Sequence, residues 1–586
     1  MNPRFFEETF GWYHAARGPT RGVGVVICPS VGDEYLCGHR TLRVLAIRLA
    51  DLGFPTIRFD YHGTGDSLGS ERDPGRVAAW KRSLHGAIDE LRAASGVDQV
   101  ALFGLRLGGT LAAACAAERD DVRALVLWSP AINGRLYVRE MKAFNTMASE
   151  AWQERDVPGV RGPGDEEIAG FYLSTETIAD LRKIDLLALP RRPAEDVLVI
   201  GRDGLAVDDK LIAALTKQGA RVETQGGAGY AAMMTVPHNG VVPEAVLDAV
   251  TGWLEGLVAV RDANGKPRAI APERDRAVGA RFAESAVRFG PSERLFGVVT
   301  EPREPPGDGR PALVLLSIGA NHHVGAASHY IRFARRFAEQ GFTTFRVDLS
   351  GIGDSASHPG ATENFPYPDA GVADVRAAME VLRLRGFRRF VLMGLCSGGY
   401  HAFKAAVVEP SVAGVIVINS QTFNYVGEPL DVMRKRWTNV NRTAYLMQSA
   451  RRLDKWKKLV TGAVDLRKVA VTLSERARHV ATAKWKAVAS RFTPGSPGQN
   501  FGAELARLVD RGTELFLVYT SDDPGLDNLR LRAGRQLAAL AGHERFRFVQ
   551  LEGPDHTFTP LWAQAELERL LSEHLAARFA GGRGVR

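Results

Sequence analysis

Residues 390–400 read FVLMGLCSGGY. An apolar run (Phe390, Val391, Leu392, Met393) stops at Gly394, small residues follow, and residues 401–408 carry a helical pattern. Strand, tight turn and helix in that order make a nucleophile elbow, the turn that lifts a reactive side chain above a sheet. Its central residue is held in a strained backbone conformation, so the flanking positions must be small. With Cys396 at the centre, those positions are Gly394 and Gly398; with Ser397 there, the earlier one would be Leu395, which is too bulky. Cys396 is therefore the expected nucleophile.

The surroundings of this turn occur twice. SVGDEY through LADLGFPTIRFDYHGTGDS (30–67) is echoed by SIGANHH through FAEQGFTTFRVDLSGIGDS (317–355). Upstream, Phe10-Gly11-Trp12 is echoed by Phe296-Gly297-Val298; downstream, FGLRLGG (103–109) is echoed by MGLCSGG (393–399). Matches in one order over more than a hundred residues indicate two copies of one fold. Each copy alternates short apolar strands with amphipathic helices, which predicts an α/β fold with a mainly parallel sheet covered on both faces. Strands are expected at 23–27, 55–59, 100–103, 124–127, 196–200 and 221–224 in the first copy. In the second they are expected at 312–316, 343–347, 390–393, 414–418, 514–519 and 545–550. The expected organisation is a first domain over 1–257, a charged, proline-containing linker over 258–275, and a second domain over 276–586.

Both halves resemble α/β-hydrolase domains of the serine-aminopeptidase-like kind, on the GxxG-D-S motif, the elbow and a late Asp…His pair. The first half (FGWYH, RFDYHGTGDS, GLRLGG, YVREMK) more loosely resembles hydrolases associated with exosortase and exopolysaccharide systems. The resemblance implies the chain order nucleophile, acid, histidine. After strand 514–519 comes TSDDPG, whose Asp523 sits at the family's acid position, with Asp522 its neighbour. After strand 545–550 comes EGPDHTFTP, which gives His556. His556 would take the proton of Cys396, and Asp523 would orient the imidazole. The oxyanion hole would use the backbone N–H of Ser397 and that of Ala320. His322 and His323, in the same loop as Ala320, are candidates to line the pocket; no spacing supports a metal site, and no cofactor is expected.

In the first copy, Arg106 stands where Cys396 stands in the second. A guanidinium stays protonated and cannot attack a carbonyl. Asp203 and His238 occupy the acid and histidine places, so Arg106, Asp203 and His238 form a degenerate site. This domain is expected to be non-catalytic, with Arg106 a candidate to hold an anion and Ser30 or Ser67 the alternative nucleophiles.

Roughly a hundred residues separate strands 414–418 and 514–519, more than a crossover helix requires, which predicts a helical lid at about 421–505. Within it, residues 431–491 hold 16 Lys or Arg against 4 Asp or Glu, a balance of +12 in a chain whose net charge is +8. Such a cap would steer an anionic acyl substrate, small or carrier-bound. No recognition motif accompanies the charge, so no nucleic-acid partner is expected.

The chain has 45% hydrophobic and 24% charged residues, as soluble globular proteins do, and no apolar run near the ~20 residues that span a bilayer. Four cysteines are too few and too scattered for a disulfide framework, and no signal-peptide pattern opens the sequence; cytoplasm is the expected compartment. The expected activity is hydrolysis of an ester or thioester through an S-acyl intermediate on Cys396. The alternatives are an acyltransferase passing the acyl group to an alcohol, amine or thiol, and a non-catalytic binding scaffold.

Overall fold

The computed structural model describes residues 1–149, 152, 153, 155, 157–260, 275–423 and 501–580. The basic segment 431–491, most of the expected lid and most of the expected linker lie outside these residues.

The first copy contributes strands β1 (Asn2–Phe6), β2 (Thr9–His14), β3 (Val23–Cys28), β4 (Thr56–Phe59), β5 (Gln99–Leu105), β6 (Val122–Trp128), β7 (Glu166–Ile168), β8 (Phe171–Leu173), β9 (Asp196–Ile200) and β10 (Arg221–Gln225). Eight form one sheet in the order β1-β2-β4-β3-β5-β6-β9-β10, while β7 and β8 make a separate hairpin. The second copy contributes β11 (Arg276–Val278), β12 (Phe282–Phe289), β13 (Leu295–Pro302), β14 (Ala312–Leu316), β15 (Thr344–Asp348), β16 (Phe390–Leu395), β17 (Val412–Ile418), β18 (Glu514–Thr520) and β19 (Phe546–Leu551). Their order is β11-β12-β13-β15-β14-β16-β17-β18-β19. From β4 and from β15 onward the two sheets are parallel and wired alike. Antiparallel strands precede them at one edge: β1 and β2 in the first sheet, β11 to β13 in the second.

The parallel strands are buried on both faces, so they read as unbroken apolar runs: Leu313, Val314, Leu315 and Leu316 are all fully buried. Helices close each face and create two apolar clusters per copy. No helix among the described residues is long and apolar enough to cross a membrane.

The two copies meet through the motif that revealed the repeat. Arg58, on β4, donates to Asp354 at 2.7 Å; its counterpart Arg346, on β15, donates to Asp66 at 2.7 Å. Asp66 and Asp354 are the Asp of GTGDS and of GIGDS, so each copy extends the same arginine to the same aspartate of the other. The Ser of each motif works locally. Ser67 Oγ accepts the Phe10 N–H, and Ser355 Oγ accepts the Phe296 N–H, each at 2.8 Å, which pins the loop to the antiparallel edge. His323 lies between Asp66 (2.6 Å) and Asp348 (2.9 Å). Around these charges Trp12 packs edge-on against Phe296, with ring centroids 4.4 Å apart.

Candidate active site

The elbow of the second copy joins β16 to the helix Ser397–Val408. Cys396 sits between them at φ 57°, ψ −119°, a conformation an L-residue adopts only under constraint. The constraint is a very close approach: a Cβ on Gly394 would strike the backbone of Gly398, and one on Gly398 would strike Leu316 O. Larger residues at either place would open the turn. Cys396 caps its helix, so the first free N–H groups of that helix lie directly behind the sulfur's residue.

Asp523 follows β18 and is the N-cap of the helix Pro524–Leu540. One carboxylate oxygen accepts the Gly525 N–H at 2.7 Å, and the other holds His556 Nδ1. The capping bond thus fixes the direction in which the second oxygen points. His556 follows β19, and Asn419 secures its backbone: Asn419 Nδ2 donates to His556 O at 2.8 Å while its Oδ1 accepts the Thr520 N–H at 2.9 Å. The carboxylate partner of His556 is Asp523 and not its neighbour Asp522. Burial works against protonation of His556, yet the Asp523 carboxylate and then the neighbouring Cys396 outweigh it, leaving its pKa well above the usual value. His556 Nε2, the nitrogen facing away from Asp523, is buried without a hydrogen bond of normal geometry among the described residues, and Cys396 is close enough to act on the imidazole.

Of the expected oxyanion donors, neither the Ser397 N–H nor the Ala320 N–H is engaged among the described residues. The Ser397 side chain accepts the Gly319 N–H at 2.9 Å and so ties the Ala320 loop to the elbow. His322 and His323 turn away. Both are buried against the first copy, where His322 stacks on His39 at 3.9 Å between ring centroids and approaches Tyr35. The expectation that they line the pocket is corrected: that loop is shared with the interface, and the histidines serve the interface. His323, Asp348 and Asp354 are close enough together to suggest a metal cluster. His323 already bridges two carboxylates and Asp354 already holds Arg58 and His39, so the grouping is an ion-pair network.

In the first copy the elbow backbone persists without a nucleophile: Arg106 has φ 53° and ψ −121°. Its guanidinium is paired with Glu34 (2.7 Å) and Glu140 (2.6 Å) and also donates to Ser129 O (3.3 Å), so two carboxylates already balance its charge. Burial opposes its charge, but Glu34 and Glu140 hold its pKa above the arginine norm. Asp203 lines the same cavity as Arg106, but its carboxylate accepts the Gly229 and Ala231 N–H groups at 2.6 Å each. His238 lies outside that cavity, on the short turn Pro237–Asn239 beside Gly319 of the second copy. Arg106, Asp203 and His238 are therefore not assembled as a triad. Ser67 is buried in its loop, and Ser30 donates to Glu34 at 2.6 Å. Glu34 and Glu140 lie in the quoted stretches SVGDEY and YVREMK without their role being readable there, and Asn419 carries no motif; only long-range placement reveals all three.

The hairpin β7–β8 of the first copy also reaches the second. Glu167 accepts the Leu561 N–H at 2.9 Å, and Gln564 donates to Gly170 O at 2.8 Å. The segment following His556 is thus braced from the other copy.

The family model "Serine aminopeptidase, S33" matches residues 25–185, and that of the "Alpha/beta hydrolase family" matches residues 313–570. Two uncharacterized proteins from strains of Mycobacterium tuberculosis are 33% identical over 123 residues, 20% of this chain. The chain spans 40% of the length of those relatives. Among solved structures, Est1E from Butyrivibrio proteoclasticus with ferulic acid is 19% identical, at a TM-score of 0.30, over 42% of this chain and 94% of that one. Proline iminopeptidase of Mycobacterium smegmatis is 14% identical, at a TM-score of 0.30, over 44% and 97%. With each half matched by a model of this kind, the chain carries two α/β-hydrolase domains in tandem.

Proposed function

We propose that the chain hydrolyses an ester or thioester through an S-acyl intermediate on Cys396, with all chemistry in the second copy. The observation that supports this most is the cysteine at the apex of the strained elbow, on the same site as a histidine already oriented by a buried carboxylate. Cys396 attacks the acyl carbon; the oxyanion that forms is received by the Ser397 and Ala320 N–H groups. His556, held protonated by Asp523, gives its proton to the leaving alcohol or thiol. It then accepts a proton from water as water attacks the thioester, releasing the acid and the free cysteine. Asp523 fixes the tautomer throughout, because its only route to the imidazole is through Nδ1. The first copy, with an ion-paired Arg106 at its elbow, takes no part in bond making. The basic segment 431–491 would favour anionic substrates by long-range attraction.

The test is intact-protein mass after exposure to a panel of acyl thioesters and p-nitrophenyl esters. An acyl adduct should form, be absent in Cys396→Ala and persist in Arg106→Met. An adduct that survives Cys396→Ala overturns the reading. Adding alcohol, amine or thiol acceptors and measuring how the acyl group partitions against water separates hydrolysis from transfer.

A further inference from the structure

The first copy retains a large cavity where its sheet would present an active site. It has a volume of about 1300 Å³, above the range typical of small-ligand pockets. Its walls come from both copies: the helix Gly134–Ala148 and hairpin β7–β8 on one side, and the helix His329–Glu339 of the second copy on the other. Phe144, Met147, Leu205 and Val278 all line it and are all exposed, with Met147 at 74% of its free area. Large apolar side chains gathered in one opening, without an apolar partner, mark a place where a ligand's apolar body would be buried.

The charges on the wall are nearly all spent. Arg106 is taken by Glu34 and Glu140, Arg202 meets Glu140, Arg335 meets Glu284, and Arg336 meets Glu339. Arg76 differs. It is buried, makes no ion pair among the described residues, and donates only to Tyr172 O, at a long 3.3 Å. Its Nε is fully buried with no partner among the described residues. The nearest acids are occupied elsewhere: Glu71 accepts the Tyr172 N–H, and Asp73 accepts from His62 and Ser70. Glu71 and Asp73 offset part of the Arg76 charge from a distance without bonding to it, and a buried guanidinium whose N–H groups lack partners is costly unless something supplies them. Arg76 also opens the 20-residue helix Arg76–Ser95, whose N-cap, Gly75, offers no side-chain cap and whose first turn has no acid. The positive end of that helix adds to the same field.

We propose that this cavity is a non-catalytic binding site for an amphipathic anion, an apolar chain carrying one carboxylate or phosphate head, with Arg76 as the head-group partner. The apolar tail lies along Phe144 and Met147, and the head pairs with the Arg76 guanidinium at the base of its helix. Trp80, one turn further on, carries Arg76 over its ring at 4.8 Å and also lines the cavity, so among the chain's nine tryptophans the fluorescence change lost in Trp80→Phe reports occupancy.

The experiment uses the full chain carrying Cys396→Ala, so that acylation in the second copy does not interfere and failure of the catalytic reading leaves this test intact. Laurate, dodecyl phosphate and neutral dodecanol are titrated below their micelle concentrations by calorimetry and tryptophan fluorescence. Laurate and dodecyl phosphate are expected to bind at least ten-fold tighter than dodecanol; which of the two binds tighter identifies the head group. Arg76→Met, which keeps an apolar stem, should abolish that advantage while leaving dodecanol unchanged. Met147→Asp, at an exposed position that tolerates the change, should weaken all three ligands. The proposal is overturned if neither anion binds, if the anions bind no tighter than dodecanol, or if Met147→Asp leaves their affinity unaltered.

Discussion

His323 is the place where pH should act most directly on this fold. Its two ring nitrogens face carboxylates of different copies, Asp66 at 2.6 Å and Asp348 at 2.9 Å. A neutral imidazole has one N–H and would turn a lone pair toward one of them; only the imidazolium donates to both. Burial opposes that charge, but Asp66 and Asp348 outweigh it and raise the pKa from 6.5 to about 10. The unfolded chain releases this proton near 6.5, so between 6.5 and 10 the folded state holds one proton more. The stabilisation is complete below 6.5 and lost as pH rises through 10. Its slope is about 1.4 kcal/mol per pH unit, or about 5 kcal/mol over the whole interval.

Urea unfolding at pH 7.0 and 8.5, on the native chain and on His323→Gln, reads this slope. The native chain should lose about 2 kcal/mol more than the variant between the two pH values. His556, also raised, contributes to both proteins and cancels in the difference, whereas Asp60, raised to about 7 by burial and by Asp66, is held down by His323 and so makes the difference somewhat smaller. The buried thiols of Cys28, Cys37 and Cys115, pushed up by burial, come into play only above ~8.5, where unfolded thiols ionise. Equal losses in the two proteins would refute the doubly donating imidazolium.

Arg346→Met leaves Asp66 and Glu284 buried with fewer partners and should destabilise the chain by about 3–5 kcal/mol in the same assay; Arg58→Met should act similarly through Asp354. Effects under ~1 kcal/mol, the level of exposed pairs, would deny the pairs their structural role. At the candidate site, Asp523→Asn should lower kcat/KM for an activated ester by about 10²–10⁴-fold, the range for a disabled general acid–base, while Asp522→Asn changes it little. Comparable losses would shift the acid to Asp522.

The parallel strands and the elbow were legible because burial on both faces writes itself as unbroken apolar runs ended by glycine. The antiparallel edges were not. β12, FAESAVRF, buries Glu284 among its apolar residues, and the alternation makes sense only once Arg335 and Arg346 are seen to neutralise it. The Phe-Gly echoes at residues 10 and 296 showed that something was repeated there without showing that it was a strand. Asp523 and His556 could be placed because each follows a readable strand. Asn419, which secures the His556 backbone, has only an unremarkable Asn-Ser after β17 to announce it. Arg106 was recognisable as the wrong residue for chemistry, but its commitment to Glu34 and Glu140 depends on a helix and a cap packed from elsewhere in the chain. The interface was hidden most completely. Nothing in the strands of Arg58 and Arg346 announces that they are buried, and in each case the aspartate that allows it comes from the other copy.

The exchanged arginines set the order of events on the ribosome. Arg346 pairs with an aspartate 280 residues upstream, and Arg58 with one 296 residues downstream. At roughly 5–20 residues per second, Asp66 and Arg58 wait about 15–60 s for partners that have not yet been synthesised. During that time the nascent first copy keeps these charges hydrated and its Phe10 and Trp12 edge uncovered, a surface that a second nascent chain of the same kind could cover with its own copy of the motif.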